Sequence, residues 1–214
     1  MKTLCLSVLV LLTAVPVFSQ NKVGLFAGPQ ATSAKYVIAG QKQETEYKYG
    51  FQAGVSMKVP FEGQLYFAPA AFYSLKGYKV MFTRFAFPPD TAAIDNDTRL
   101  HTFELAAMLQ YDFGKGPGHV FIKAGPSLDF QLFGREKFNK KTGGQVERNM
   151  VFSFGDYGHF AASMNLHLGY ETAGGFVVTA QYAHGLGSIN NADLGPRIRH
   201  RVFALSIGRY LKKK

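Results

Sequence analysis

Six histidines, some with serines close by, are the residues best suited to chemistry in this 214-residue chain. His101, His119, His159, His167, His184 and His200 are scattered. They lack the close His/Cys/Glu spacing by which a chain holds zinc. Ser153, His159, Ser163 and His184 include the types a nucleophile and its base require, but no spacing pairs one with another. Asp95-Asn96-Asp97 places three oxygen-bearing side chains in a row without the following glycine and distal glutamate of a calcium loop. The expectation is a chain with no catalytic, metal-binding or cofactor-binding residues and no cofactor. It is not expected to be an enzyme.

The charges are more informative. Lys58, Lys76, Glu104, Asp112, Lys123 and Asp129 each stand at an alternate position opposite an apolar run. If those runs are strands, all six project to one enclosed side, where charge is costly unless paired. A hydrogen-bonded, salt-bridged interior is therefore expected. A second set lies between the periodic segments. Arg135, Lys137, Lys140, Lys141 and Arg148 oppose Glu136 and Glu147, and Arg197, Arg199 and Arg201 flank His200. Basic loops of this kind suit the phosphates of lipopolysaccharide or an acidic surface.

The elements that must position these groups follow from a period of two. From His101 to Phe113, Phe103, Leu105, Ala107, Leu109, Tyr111 and Phe113 share one parity, and Glu104, Gln110 and Asp112 fall on the other. The same alternation recurs at Val120–Gln131, His159–Tyr170, Phe176–Ala183 and Phe203–Gly208, and more weakly at Val23–Gly28, Tyr49–Lys58 and Leu65–Ser74. Pro69 and Pro126 interrupt two strands, since proline cannot donate to the ladder. The connections run 30–47, 60–63, 77–98, 114–118, 134–153, 172–174 and 185–197, alternately long and short. The short ones carry turn residues such as Gly114-Lys115-Gly116-Pro117-Gly118.

An even number of strands with alternating short and long links is the plan of a transmembrane barrel, both termini lying on the side of the short turns. The face opposite the apolar one is small and glycine-rich. It would make a poor water-facing sheet, but it suits the narrow lumen of eight strands. The apolar face ends in aromatics (Tyr111, Phe113, Phe130, Tyr170, Tyr182), as interfacial girdles do. The predicted fold is all-β: an eight-stranded antiparallel up-and-down transmembrane β-barrel with short periplasmic turns and long external loops. In lipid it must close by pairing the strands near 22–28 and 199–210.

The amino terminus reads as a secretory signal: Met1-Lys2, an apolar stretch from Leu4 to Val17, then Val17-Phe18-Ser19, with cleavage expected between Ser19 and Gln20. Residues 1–19 are then the signal peptide and 20–214 the barrel domain. The single cysteine, Cys5, leaves with the leader, so no disulfide supports the exported chain. The formal charge of +10 falls to +9 with the loss of Lys2, and export makes nucleic acid a poor partner.

With the strands placed, the chain resembles the PorT-like outer-membrane β-barrel (porin family) domain. The resemblance is carried by Gly24-Leu25-Phe26-Ala27-Gly28, by Pro69-Ala70-Ala71-Phe72-Tyr73-Ser74-Leu75-Lys76-Gly77, and by Phe103-Glu104-Leu105. Ala124-Gly125-Pro126, Gly185-Leu186-Gly187 and Leu205-Ser206-Ile207-Gly208 continue it in the same order. Ala106, Ala70 and the tail Lys212-Lys213-Lys214 depart from the family's habit of a proline, an acidic residue and a terminal aromatic. The resemblance implies an outer-membrane location in a Gram-negative-type envelope. The role expected of the external loops is structural, in envelope integrity or surface interaction, with outer-membrane lipid, lipopolysaccharide through the basic loops, and an unidentified surface or envelope protein as partners. A small passive pore and a soluble periplasmic ligand-binding barrel are the alternatives.

Overall fold

The computed structural model describes residues 21–211. The expected signal peptide with its cleavage point, and the lysine tail, lie outside the described residues. Eight staves follow one another: the first Lys22–Ile38, the second Glu44–Glu62, the third Leu65–Phe67 continued by Ala70–Met81, and the fourth Asp95–Ala106 continued by Leu109–Phe113. The fifth is His119–Asn139, the sixth Phe160–Glu171, the seventh Phe176–Gly185 and the eighth Arg197–Tyr210. Each pairs antiparallel with the next. The first pairs with the eighth from Gly24↔Tyr210 to Val37↔Arg197, and this closes the barrel.

The apolar face points outward. On the eighth stave Leu205 and Ile207 are 62% and 67% exposed, whereas the intervening Ala204 and Ser206 are buried. A soluble ligand-binding barrel has the opposite polarity, with a dry interior and a charged exterior, so that alternative does not fit this fold. The outward face is a lipid face.

Local sequence explains the irregularities. Neither Ala68 nor Pro69 belongs to a strand, and the third stave is broken there. Pro126 keeps its place in the fifth stave, opposite the break in the fourth, where the Ala107 N–H donates to the Pro126 carbonyl. Two glycines permit close approach. A Cβ at Gly28 would lie 1.9 Å from the Leu205 carbonyl oxygen, and one at Gly169 would lie 2.3 Å from the Phe121 ring, which crosses the lumen there.

The long links are shorter than their sequence suggests. The expected 30–47 loop shrinks to residues 39–43 around a turn at Ala39-Gly40, both at positive φ. Within 134–153 the fifth stave runs on to Asn139, and Gln145–Asn149 folds back along it. The external loops are thus mostly hairpins that prolong the staves above the membrane.

Replacing Leu166, midway along the lipid face of the sixth stave, with arginine is expected to cost about 2–4 kcal/mol. Urea unfolding of protein refolded into bilayers would measure it, with Leu166→Ile as the neutral control.

Candidate functional site

The lumen is filled in layers. At the periplasmic end the ammonium of Lys58 lies 2.5 Å from Asp112 Oδ2 and 2.8 Å from Glu171 Oε2. His119 Nε2 lies 3.0 Å from the same Asp112 oxygen and 3.4 Å from Glu171. Gln110 donates to Asp112, and Lys22 at the rim reaches Glu171. Asp112, His119 and Glu171 hold potential ligand atoms within 4.8 Å of one another, the only such cation-binding group among the described residues. Lys58 already sits among them and supplies the positive charge.

Above this layer Phe26 packs edge-on against Phe72, within a small apolar cluster that includes Met108. Beside it a cavity of about 40 Å³ is lined by Lys123 and His167 among others. Lys123 is buried over the Phe121 ring and, among the described residues, has no carboxylate partner, unlike the other five interior charges. The next charged layer is centred on Lys76, 2.8 Å from both Glu104 and Asp129. Ser127 and Ser163 donate to Asp129, and Thr102 donates to Glu104. Every side chain of this layer is buried.

The external mouth is closed by an apolar cap. Tyr36, Tyr78, Tyr157, Leu100, Ile189 and Ile198 form one buried cluster that includes Ala86 from the 82–94 loop. Glu136 is fully buried within it. It accepts hydrogen bonds from Tyr157 Oη at 2.7 Å and from Arg148 Nε at 2.8 Å. Burial, with Tyr78 and Glu136 nearby, holds the Tyr157 phenol well above its ordinary value, so it remains a donor. Arg148 also donates to the Pro89 carbonyl and Tyr36 to that of Pro88, which ties the 82–94 loop across the opening.

The six interior charges named from the sequence are all buried: Lys58, Asp112, Lys76, Glu104 and Asp129 in the two clusters, Lys123 between them. Glu171 and His119 join the lower cluster. Their signal was parity, since Glu171 continues the inward series of Asn165 and His167 one residue beyond the periodic segment and just before the expected 172–174 turn. Glu136 and Arg148 were expected in a solvated loop. Glu136 instead points into the cap from the fifth stave, and Arg148 neutralises it from the folded-back strand. Arg135 and Lys137 also lie on the fifth stave, and Arg197, Arg199 and Arg201 on the eighth, because the staves outrun the membrane. Arg135 pairs with Glu147 and Lys140 with Asp90, while Lys141 is exposed.

The serines and histidines do not converge. Ser163 is turned into the lumen on Asp129, His101 meets Tyr73 Oη on the outer face, and His184 meets Tyr182 Oη. Asp95 caps Asn139, Asn96 turns inward to Glu136, and Asp97 pairs with Lys48, so this run does not form a calcium loop.

The family described as outer membrane protein beta-barrel domain matches residues 18–191. No curated protein matches the chain. Among solved structures the chain is similar to Ail, the attachment invasion locus protein of Yersinia pestis, crystallised in complex with the heparin analogue sucrose octasulfate. That pair shows 12% identity and a TM-score of 0.46, covering 89% of this chain and 99% of that one. Neisserial surface protein A (NspA) shows 14% identity, coverage of 87% and 97%, and a TM-score of 0.42. The outer membrane enzyme PagL shows 14% identity, coverage of 86% and 99%, and a TM-score of 0.46.

Lys76→Met leaves two buried carboxylates facing each other and is expected to destabilise the barrel by about 3–5 kcal/mol. Adding Glu104→Gln and Asp129→Asn to it should restore most of that loss. The urea midpoint of the folded-barrel band on unboiled gels reads both.

Proposed function

The chain belongs to the outer membrane protein beta-barrel domain family, and from that premise we propose a closed barrel that acts through its external hairpins, in envelope integrity or surface interaction. Conduction and catalysis are not part of this reading. The observation that carries it is the sealed mouth, where the Tyr157–Glu136–Arg148 network ties the 150–159 loop and the 82–94 loop over an already filled lumen. A passive pore needs a continuous aqueous path, and both charged layers obstruct one. Lipid-modifying catalysis needs a nucleophile and base in reach of each other. Among the described residues no serine hydroxyl hydrogen-bonds a histidine.

The basic residues Arg135, Lys137, Lys140, Lys141, Arg148, Arg197, Arg199 and Arg201 lie on the external part of the barrel. Those left without a carboxylate suit anionic outer-leaflet glycolipid. In this reading the chain reaches the outer membrane after removal of residues 1–19, and 20–214 form the barrel domain. The finer PorT-like membership rests on the short segments from Gly24-Leu25-Phe26 to Ser206-Ile207-Gly208.

Planar-bilayer recordings on protein purified from envelopes should show no stable single-channel steps, and a large, persistent conductance would establish the pore instead. In a strain lacking the protein, a variant with the 82–94 and 150–159 loops replaced by short turns should fail to restore detergent resistance. A variant with Lys76, Glu104 and Asp129 jointly neutralised should restore it. Full complementation by the loop-shortened barrel would refute an external role.

A further inference from the structure

The closing seam between the first and eighth staves carries cations that the rest of the fold leaves unused. Across it Lys35 stands directly opposite Arg199, with Arg201 opposite Ser33 and Arg197 opposite Val37. Ile198, His200 and Tyr36 are buried in the interior, so Lys35 and the three arginines share the outer face. Like charges opposed on paired strands repel each other. Among the described residues none of the four forms a salt bridge. Arg199 Nε is buried and has no hydrogen-bond partner, a condition that native structures rarely tolerate without a ligand or water.

Immediately below the cations the lipid face is hollow. Pro29 and Ala31 form the floor of a groove of about 360 Å³, bounded by Tyr49, Ala180, Phe203 and Leu205. The trough exists because small residues of the first stave lie between large aromatics of its neighbours. Ala31 pairs with Phe203, and the cations begin two residues further along the same strands. At about 3.3 Å per residue the groove passes into the cationic patch within roughly 7–14 Å. A hydrocarbon trough in the membrane, topped by unpaired guanidinium groups at the external rim, has the polarity of one kind of molecule.

We infer that this seam is a binding site for a phosphorylated glycolipid of the outer leaflet, one acyl chain lying in the Pro29–Ala31 trough and a phosphate bridging Lys35, Arg199 and Arg201. The bound phosphate relieves the Lys35–Arg199 repulsion and satisfies Arg199 Nε. The inference deepens the surface reading above by naming a partner and its place, and it rests on the outer-membrane location alone, so a conducting barrel would leave it standing.

The test is native mass spectrometry of the full exported chain in detergent, titrated with bisphosphorylated lipid A, with its dephosphorylated form, and with inorganic phosphate. Lipid A should bind one to one, and the dephosphorylated lipid and inorganic phosphate only weakly. K35Q/R199Q/R201Q should weaken lipid A binding roughly a hundredfold, about fivefold for each cation removed. Ala31→Phe, which fills the trough and keeps every charge, should also displace the lipid. K79Q/R84Q/R99Q, an equal loss of charge at exposed positions away from the seam, should leave binding within twofold. Folding of each variant is read from its gel migration before and after boiling; if the triple variant does not fold, Arg199→Gln alone and Ala31→Phe decide. Equal losses in the seam and control variants, unchanged binding in Ala31→Phe, or tight binding of inorganic phosphate alone would each overturn the site.

Discussion

A backbone that crosses hydrocarbon finds no water to bond, so every N–H and C=O along the staves has to be paired within the chain. For a sheet this leaves closure as the solution, and here it is the register between the first and eighth staves that provides it. Much else follows from that closure. Eight staves enclose a lumen only as wide as the side chains pointing into it. Polar groups placed there face one another and have little water. They pair, or they destabilise the barrel.

The two interior clusters show how that demand is met. Lys76 and Lys58 each lie between two carboxylates, and serine, threonine, glutamine or histidine side chains take up oxygens the ammonium does not reach. Desolvating these charges costs more than a single contact returns, so multiple partners matter more here than the closeness of any one pair. Lys123 is solved differently, by an aromatic face and a small adjoining cavity. Together with the Phe26–Phe72 contact and the external cap, these layers make the interior a packed core.

The membrane-spanning part of this arrangement was legible because one rule governs it: outward side chains are apolar and inward ones small or polar. Phe103, Leu105 and Leu109 against Glu104 and Gln110 obey that rule plainly. Above the membrane the rule inverts. Along the first stave Leu25 and Ala27 face lipid while Gln30 faces the lumen; further up, Lys35 faces outward and Tyr36 and Ile38 face inward. The third stave turns over in the same way between Lys76 and Tyr78 and the fourth between Thr102 and Leu100, while on the eighth the outward face changes from Phe203 to Arg201. A reading that follows one greasy parity loses the strand where the greasy side changes. Tyr36, Tyr78 and Glu136 were therefore assigned to loops, and the cap they build could not be read from the sequence.

That inversion has a mechanical consequence. The external third of the molecule meets water outside and has an apolar centre of tyrosine, leucine and isoleucine, so it is held together as a small soluble domain is, by burial of hydrocarbon. The 82–94, 150–159 and 186–196 loops are fastened to this centre through Pro88, Pro89, Tyr157 and Ile189. Loops fixed in this way lose little conformational entropy when a ligand arrives, which lowers the cost of binding at the surface they present. The same rigidity fixes the spacing of Lys35 and Arg199 on the two staves that close the barrel. Their repulsion cannot be relaxed by moving the backbone apart without breaking the ladder on which closure depends. The strand pair that lipid requires to be closed therefore also holds two cations side by side, and a shared anion stabilises both.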